Sequence, residues 1–430
     1  MGKSRYSGRT GWLIACAAVF TLVAVLLTVN FVSGEKKVEQ RVERLYALDD
    51  PRFRYELGLL LGPPFVDGNS YKVLRNGDEI FPSMLDAIKA ARTSITFETY
   101  IYWSGNTGRE FAQQLSLAAR RGVKVHLLLD WLGTAKMDQA LLDEMSAAGV
   151  EIRKFHPPHW SHLGRLNNRT HRKILVVDGT LAFTGGVGIA QQWTGHAQNP
   201  EHWRDTHFRV EGPVTGQMQA VFLDNWTKVT GVVLYGPRYF PALPSVGKGL
   251  AQMFSSSPSG GSESMQLMYL LAITAASRSI DLSASYFVPD ELSVRALVEA
   301  MQRGVKLRIV VPGEHMDSET VQGASRARWG ALLAAGAVIA EYRPTMYHCK
   351  VMIVDQLLVS VGSTNFDNRS FRLNDEATLN ILDADFALQQ TGIFEDDLRL
   401  SRRIGYDEWV ERPLTQKLGE HFASLLGSQL

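Results

Sequence analysis

The sequence predicts an α/β protein made of two copies of one unit. Three observations carry this. Apolar, β-branched runs alternate with amphipathic stretches, the pattern of strands and helices packed in layers. The order of that alternation repeats: Ala272-Ile273 through Ser279-Ile280 matches Ala87-Ile88 through Ser94-Ile95, and Arg303-Gly304-Val305-Lys306 matches Arg121-Gly122-Val123-Lys124. Ala334-Ala335-Gly336 likewise matches Ala147-Ala148-Gly149. One spelling, H-x-K-x4-D, then occurs in each copy as His171, Lys173, Asp178 and as His348, Lys350, Asp355. Paired small residues follow each, Gly185-Gly186 and Gly362-Ser363.

Taken in order, residues 11–32 are apolar and uncharged, long enough to cross a bilayer core as a helix, and Lys3, Arg5 and Arg9 precede them. A retained single-pass anchor over 1–33 is expected. A cleaved secretory signal ending near Val32-Ser33-Gly34 is the alternative. Lys36, Lys37, Arg41 and Arg44 on the far side leave its orientation open. Residues 34–70 read as a linker in which Val38, Val42 and Leu45 have the spacing of a short amphipathic stalk.

The first half is expected over 71–234. A turn at Asn76-Gly77 opens it, followed by helices near 81–91, 108–121 and 137–148 and strands near 94–102, 123–129 and 150–155. The loop from His156 to Thr170 precedes the first motif and should rim the site. Its His156, His159 and His162 read as polar loop residues rather than metal ligands. Residues 235–264, with their Pro, Gly and serine run, read as a connecting loop, and 265–430 as the second half.

Composition narrows the function classes. A chain of 430 residues with 45% hydrophobic content buries two ordinary cores. A net charge of +1 supplies no global basic field, so no nucleic-acid partner is expected. Two cysteines, Cys16 and Cys349, make neither a disulfide framework nor a zinc site. Nothing in the sequence sets the oligomeric state.

The motif residues point to phosphate. Each His and Lys precede a strand-like run and share one of its faces, because side chains alternate. An ammonium beside an imidazole attracts phosphate oxygens and repels a divalent cation, so the expected chemistry needs no metal or other cofactor. Two imidazoles, each titrating near ~6.5, can divide the roles of nucleophile and acid. Asp178 and Asp355 lie an odd number of residues beyond their histidines and point away, which reads as structural. If the halves pack about a pseudo-two-fold axis, the two His/Lys pairs face each other across one cleft.

The motif pair resembles that of the phospholipase D superfamily, and the likeness covers most of the chain beyond the N-terminal stretch. It implies two phospholipase D-like halves, each a mixed β-sheet flanked by helices, packed as a pseudo-dimer around one active site. It implies His171 as the nucleophile that forms a phosphohistidine and His348 as general acid, then base. The residues alone leave the reverse assignment open. Lys173 and Lys350 would hold the non-bridging oxygens, joined by Ser363, Asn365 and the close backbone approach at Gly185, Gly186 and Gly362. By the same resemblance Asp205 and Glu376 orient the histidines.

Glu98-Thr99-Tyr100-Ile101-Tyr102 and Tyr286-Phe287-Val288-Pro289 resemble strand ends of bacterial cardiolipin synthase-type phosphatidyltransferases. That likeness implies conversion of phosphatidylglycerol to cardiolipin at a bacterial plasma membrane. Gly188 departs from it, standing where the family carries asparagine. Arg204, Asp367 and Arg369 flank the motifs and either steer a head group or are structural. Three alternatives share the motifs: a phospholipase D releasing phosphatidic acid, a membrane-tethered nuclease, and an inactive lipid-binding scaffold.

Overall fold

The predicted β-branched runs become strands, and among the described residues sixteen strands from both halves join into one sheet, while Phe287–Val288 and Phe366–Asp367 pair as a separate two-stranded ribbon. The computed structural model describes residues 4–32, 38–157, 167–258, 264–425 and 427, with side chains of the first helix described from 11 to 25. His159, His162, the expected cleavage residues Ser33 and Gly34, and Ser259 through Ser262 lie outside the described residues.

The first half holds β1 (Val66–Arg75), β2 (Ser94–Thr99), β3 (Lys124–Asp130), β4 (Glu151–Phe155), β5 (Arg169–Thr170), β6 (Ile174–Val177), β7 (Leu181–Gly185) and β8 (Thr206–Glu211). The second holds β9 (Gly249–Ser256), β10 (Ser279–Ala284), β11 (Phe287–Val288), β12 (Lys306–Pro312), β13 (Val338–Tyr342), β14 (Lys350–Val354), β15 (Leu358–Gly362), β16 (Phe366–Asp367), β17 (Asn374–Leu382) and β18 (Ser401–Ile404). Read outward from the centre, β1-β8-β7-β6-β2-β3-β4 answers β9-β17-β15-β14-β10-β12-β13 strand for strand. β1 pairs β9 antiparallel at the seam, as a two-fold axis between them requires. Each half is mixed: β2, β3 and β4 run parallel, as do β10, β12 and β13, while β6 and β14 each pair antiparallel with their neighbours. Helices cover both faces, because strands buried on both sides need apolar cover on each. Val351 through Val354 are buried, and so are Ile174 through Val177.

Four expectations need correction. The stretch 38–50 forms no helix. Val38, Val42 and Tyr46 instead pack on the second-half core, Arg41 pairs with Glu299 at 3.1 Å, and Arg44 reaches Ser277 at 2.8 Å. Contacts to a ready-made surface override a short helical pattern. The linker also holds the helix Pro51–Leu61, capped by the Asp50 carboxylate, and the start of β1. The connecting loop contains β9, whose partner β17 gives it a full ladder. The helix expected from about 81 begins at Asn76, with Asp78 and Glu79 favouring its positive N-terminal end.

The apolar N-terminal stretch is helical over Ser4–Val32. Among the described residues, however, no helix is long and apolar enough to cross a membrane.

Candidate active site

A strand exchange builds the site. β5 of the first half pairs with β17 of the second, Arg169 opposite Asn374 and Thr170 opposite Asp375, and the next amide, His171 N–H, donates to the Asp375 carbonyl at 2.9 Å. The reciprocal contact joins Arg204 and Tyr347: Arg204 N–H donates to Met346 O at 2.9 Å and His348 N–H to Arg204 O at 2.7 Å. Each histidine is thereby set beside an acid from the other half. His171 Nδ1–H donates to Glu376 at 2.9 Å, and His348 Nδ1–H to Asp205 at 2.7 Å. Both rings then turn Nε2 toward one cleft of about 430 Å³ that His171, Lys173 and His348 line together.

The lysines repeat the same symmetry. Lys173 Nζ donates to His171 O and Lys350 Nζ to His348 O, both at 2.8 Å. Lys350 Nζ also lies 3.3 Å from His348 Nε2, and Lys173 Nζ lies 5.6 Å from the centre of the Tyr100 ring.

Burial dominates the electrostatics. It pushes His171 down to about 4 against the pull of Glu376, and, with the Lys350 charge, His348 down to about 3 against Asp205. Burial also brings Lys173 down to about 7 and lowers Lys350. It would raise Glu376 and Asp205, but the facing histidines, which hydrogen-bond to them, and the lysine charges hold both below the ordinary carboxylate value. A carboxylate accepting from Nδ1–H of a neutral imidazole fixes the tautomer whose Nε2 carries a free lone pair.

Not every expected residue reaches the cleft as expected. The Ser363 hydroxyl donates to Glu376 and accepts from the Ala377 amide at 3.0 Å, so it braces the carboxylate. Asn365 does line the cleft, and its buried Oδ1 has no hydrogen-bond partner. Gly186 makes room for protein: a Cβ there would stand 2.3 Å from Asp205 Oδ1. At Gly185 and Gly362 it would meet Thr206 O at 2.6 Å and Ala377 O at 2.2 Å, so the neighbouring strand occupies the approach expected of phosphate. At Gly188 a Cβ would meet Ile101 at 2.7 Å and the Trp193 ring at 3.1 Å, which explains why no asparagine fits there.

Asp178 and Asp355 stand in turns with φ of 53° and 54°. They accept from the amides of 92–94 and 277–279 respectively, away from the histidines. Arg204 is locked in a buried two-pronged bond to Asp397 at 2.9 and 2.8 Å. Asp367 caps a short helix through Ser370 and, with Arg369, lines the cleft.

Sequence reasoning missed much of the wall. Trp193 donates from Nε1 to Asp205 at 3.0 Å, and Trp193 and Trp203 both pack on the His348 ring. Tyr100 meets the His171 ring edge-on at 5.2 Å. Tyr286 donates to Asp317 at 2.8 Å across the far wall. Of these, Tyr100 and Tyr286 carried a signal in the sequence, through the strand ends Glu98-Thr99-Tyr100-Ile101-Tyr102 and Tyr286-Phe287-Val288-Pro289. Among the described residues, no group of three or more His, Cys, Asp or Glu is placed to hold a metal ion.

The family described as "Cardiolipin synthase, PLD-like domain" matches residues 84–226 and 269–398, one span in each half. The chain belongs to this family. It is 34% identical over 393 residues to the cardiolipin synthase of Geobacillus kaustophilus, covering 90% of this chain and 78% of that protein. It is 34% identical over 401 residues to cardiolipin synthase 2 of Bacillus anthracis, covering 92% and 77%. The crystal structure of phosphatidylserine synthase from Haemophilus influenzae shares the fold, with a TM-score of 0.64 at 13% identity over 88% of this chain and 100% of that one. The chain is accordingly a phosphatidyltransferase of the phospholipase D superfamily.

Proposed function

We propose that this enzyme makes cardiolipin from two molecules of phosphatidylglycerol through a phosphohistidine on His171. The single observation that carries the reading is the crossed pair of histidine–carboxylate contacts opening on one cleft. His171 Nε2 attacks the phosphorus of the first lipid, the bond to glycerol oxygen breaks, and His348 gives that oxygen a proton. The hydroxyl of a second phosphatidylglycerol then attacks the same phosphorus, its proton returns to His348, and the P–N bond breaks. Burial and the Lys350 charge favour neutral His348, and the charge of the arriving phosphodiester favours its protonation. Lys173 and Lys350 stabilise the charge on the five-coordinate phosphorus, and Asn365, which lines the same cleft, joins them through its side-chain amide. These steps call on no metal or other cofactor.

Residues 1–33 form the proposed anchor in a bacterial plasma membrane. A helix of 29 residues is about 44 Å long, more than the ~30 Å hydrocarbon core, and Trp12, Leu13 and Phe20 on it are exposed.

A phosphatidyl ester with a p-nitrophenol leaving group tests the assignment, because that group departs without a proton. H348A should give a burst of one p-nitrophenolate per enzyme and hold the phosphatidyl label on the His171 peptide, while H171A should give none. A burst in H171A would reverse the roles. With phosphatidylglycerol vesicles glycerol leaves in either case, so phosphatidic acid in place of cardiolipin would assign water as acceptor.

A further inference from the structure

The last helix, Leu414–Leu425, carries its side chains inside out. Its buried residue is Glu420, whose carboxylate accepts from Arg412 Nε at 3.0 Å and Nη2 at 2.8 Å and from Gln416 at 2.9 Å. Leu414, Leu418, Phe422 and Leu425 stand between 59% and 75% exposed. The spacing i, i+4, i+8, i+11 lays these four along one face, the stripe that a helix of a water-surrounded domain turns inward. Single exposed leucines need no explanation, but a continuous stripe with the charged residue packed on the inside does.

The position of the helix tells what the stripe meets. Ala423 packs into a cluster with Val288, Val321 and Ala324, and Val321 lines the catalytic cleft together with Tyr286 and Asp317. Just beyond the helix, the Gly427 carbonyl accepts from Asn368 Nδ2 at 3.0 Å, and Asn368 sits between the cleft residues Asp367 and Arg369. The helix therefore borders the cleft. A phosphatidyl group can bring its phosphorus to His171 while its tails remain in the bilayer only if a surface beside that cleft rests on the bilayer.

We propose that this stripe is that surface. The helix Leu414–Leu425 lies in the interfacial layer with Leu414, Leu418, Phe422 and Leu425 among acyl chains and exposed His421 at head-group level, so that the cleft opens onto its substrate. The inference rests on the phospholipid-transfer reading above and adds the face by which the enzyme meets lipid. The N-terminal helix would hold the chain on a vesicle in any case, so a test must report on the stripe itself.

The full chain with C16S, leaving only buried Cys349, would receive a fluorescent NBD label at L418C, F422C or, as control, K124C. Lys124 is exposed and begins β3, whose other end, Asp130, lies next to the cleft strand β5 through its bond to the Thr170 amide at 3.1 Å. In phosphatidylglycerol vesicles containing acyl-chain quenchers, labels at 418 and 422 should shift to the blue and lose about half their emission, while the label at 124 should not. Labels at 418 and 422 that behave like the one at 124 overturn the proposal. So does label-to-label quenching between molecules without quenching by lipid, which would assign the stripe to a second copy of the chain. Independently, L418D/F422D should lower turnover of vesicle phosphatidylglycerol about tenfold and leave turnover of a short-chain, monomeric phosphatidylglycerol within about twofold. Equal turnover of vesicles by variant and wild type counts against it. A wild-type enzyme that turns over neither substrate while its stripe labels are quenched would sink the catalytic reading and leave the surface standing.

Discussion

Glu376 lies 205 residues from His171 in the chain and accepts its Nδ1–H at 2.9 Å. What a single side chain does here depends on that partner from the opposite half. E376Q keeps the shape, removes the charge and loses control of the tautomer. Its kcat for phosphatidylglycerol should fall about 10³-fold or more with KM little changed, as steady-state kinetics would read. An equal change in KM would mean that Glu376 acts on binding instead. Protonating His171 removes the attacking lone pair, so activity is lost on the acid side, and burial sets that loss near pH 4 rather than 6.5. Deprotonating Lys173 removes charge that faces phosphate, so kcat/KM should fall on the alkaline side as pH rises through about 7. A profile of kcat/KM between pH 3 and 9 that turned down at about 6.5 on its acid side would contradict the assignment.

At the scale of the element, the two motif aspartates separate folding from chemistry. Asp355 accepts from the amides of Ser277, Arg278 and Ser279 at 2.8, 2.7 and 2.9 Å and so ties the turn after β14 to the start of β10. D355A leaves these donors without their acceptor and should lower unfolding free energy by about 2–4 kcal/mol in urea titration, with kcat per folded molecule nearly unchanged. Asp178 holds 92–94 in the same way at a more exposed site, and D178A should cost less. Both aspartates share the spelling of the motif without sharing its reaction. The alternation of strand faces already separated them, whereas the Ser363 hydroxyl could be assigned to Glu376 only from coordinates.

Across the whole molecule, the seam strands β1 and β9 and the exchanged strand β5 make the halves interdependent. Neither half carries both members of a histidine–acid pair. Buried Arg204 bonds Asp397 of the second half, and Arg172 reaches the Glu376 carbonyl at 3.3 Å. The halves should therefore open together. Native-state hydrogen exchange followed by mass spectrometry should give peptides covering β6 and β14 the same opening free energy, and two clearly different values would mean independent domains.

The duplication, the α/β class, the four His/Lys positions, the structural place of Asp178 and Asp355, and the likeness that picked out Asp205 and Glu376 were all legible in the amino-acid sequence. Those follow from local spelling and period, which a single chain displays directly. Which acid serves which histidine, what occupies the space at Gly186 and Gly188, the irregular course of 38–50 and the strand hidden in 235–264 were decided by tertiary structure. So was the outward face of Leu414–Leu425. Each depends on contacts between segments far apart in the chain, and no local period records them. β9 reads as part of a Gly/Ser-rich loop until β17 is found beside it, and a leucine stripe reads as core until Glu420 is found on the other side.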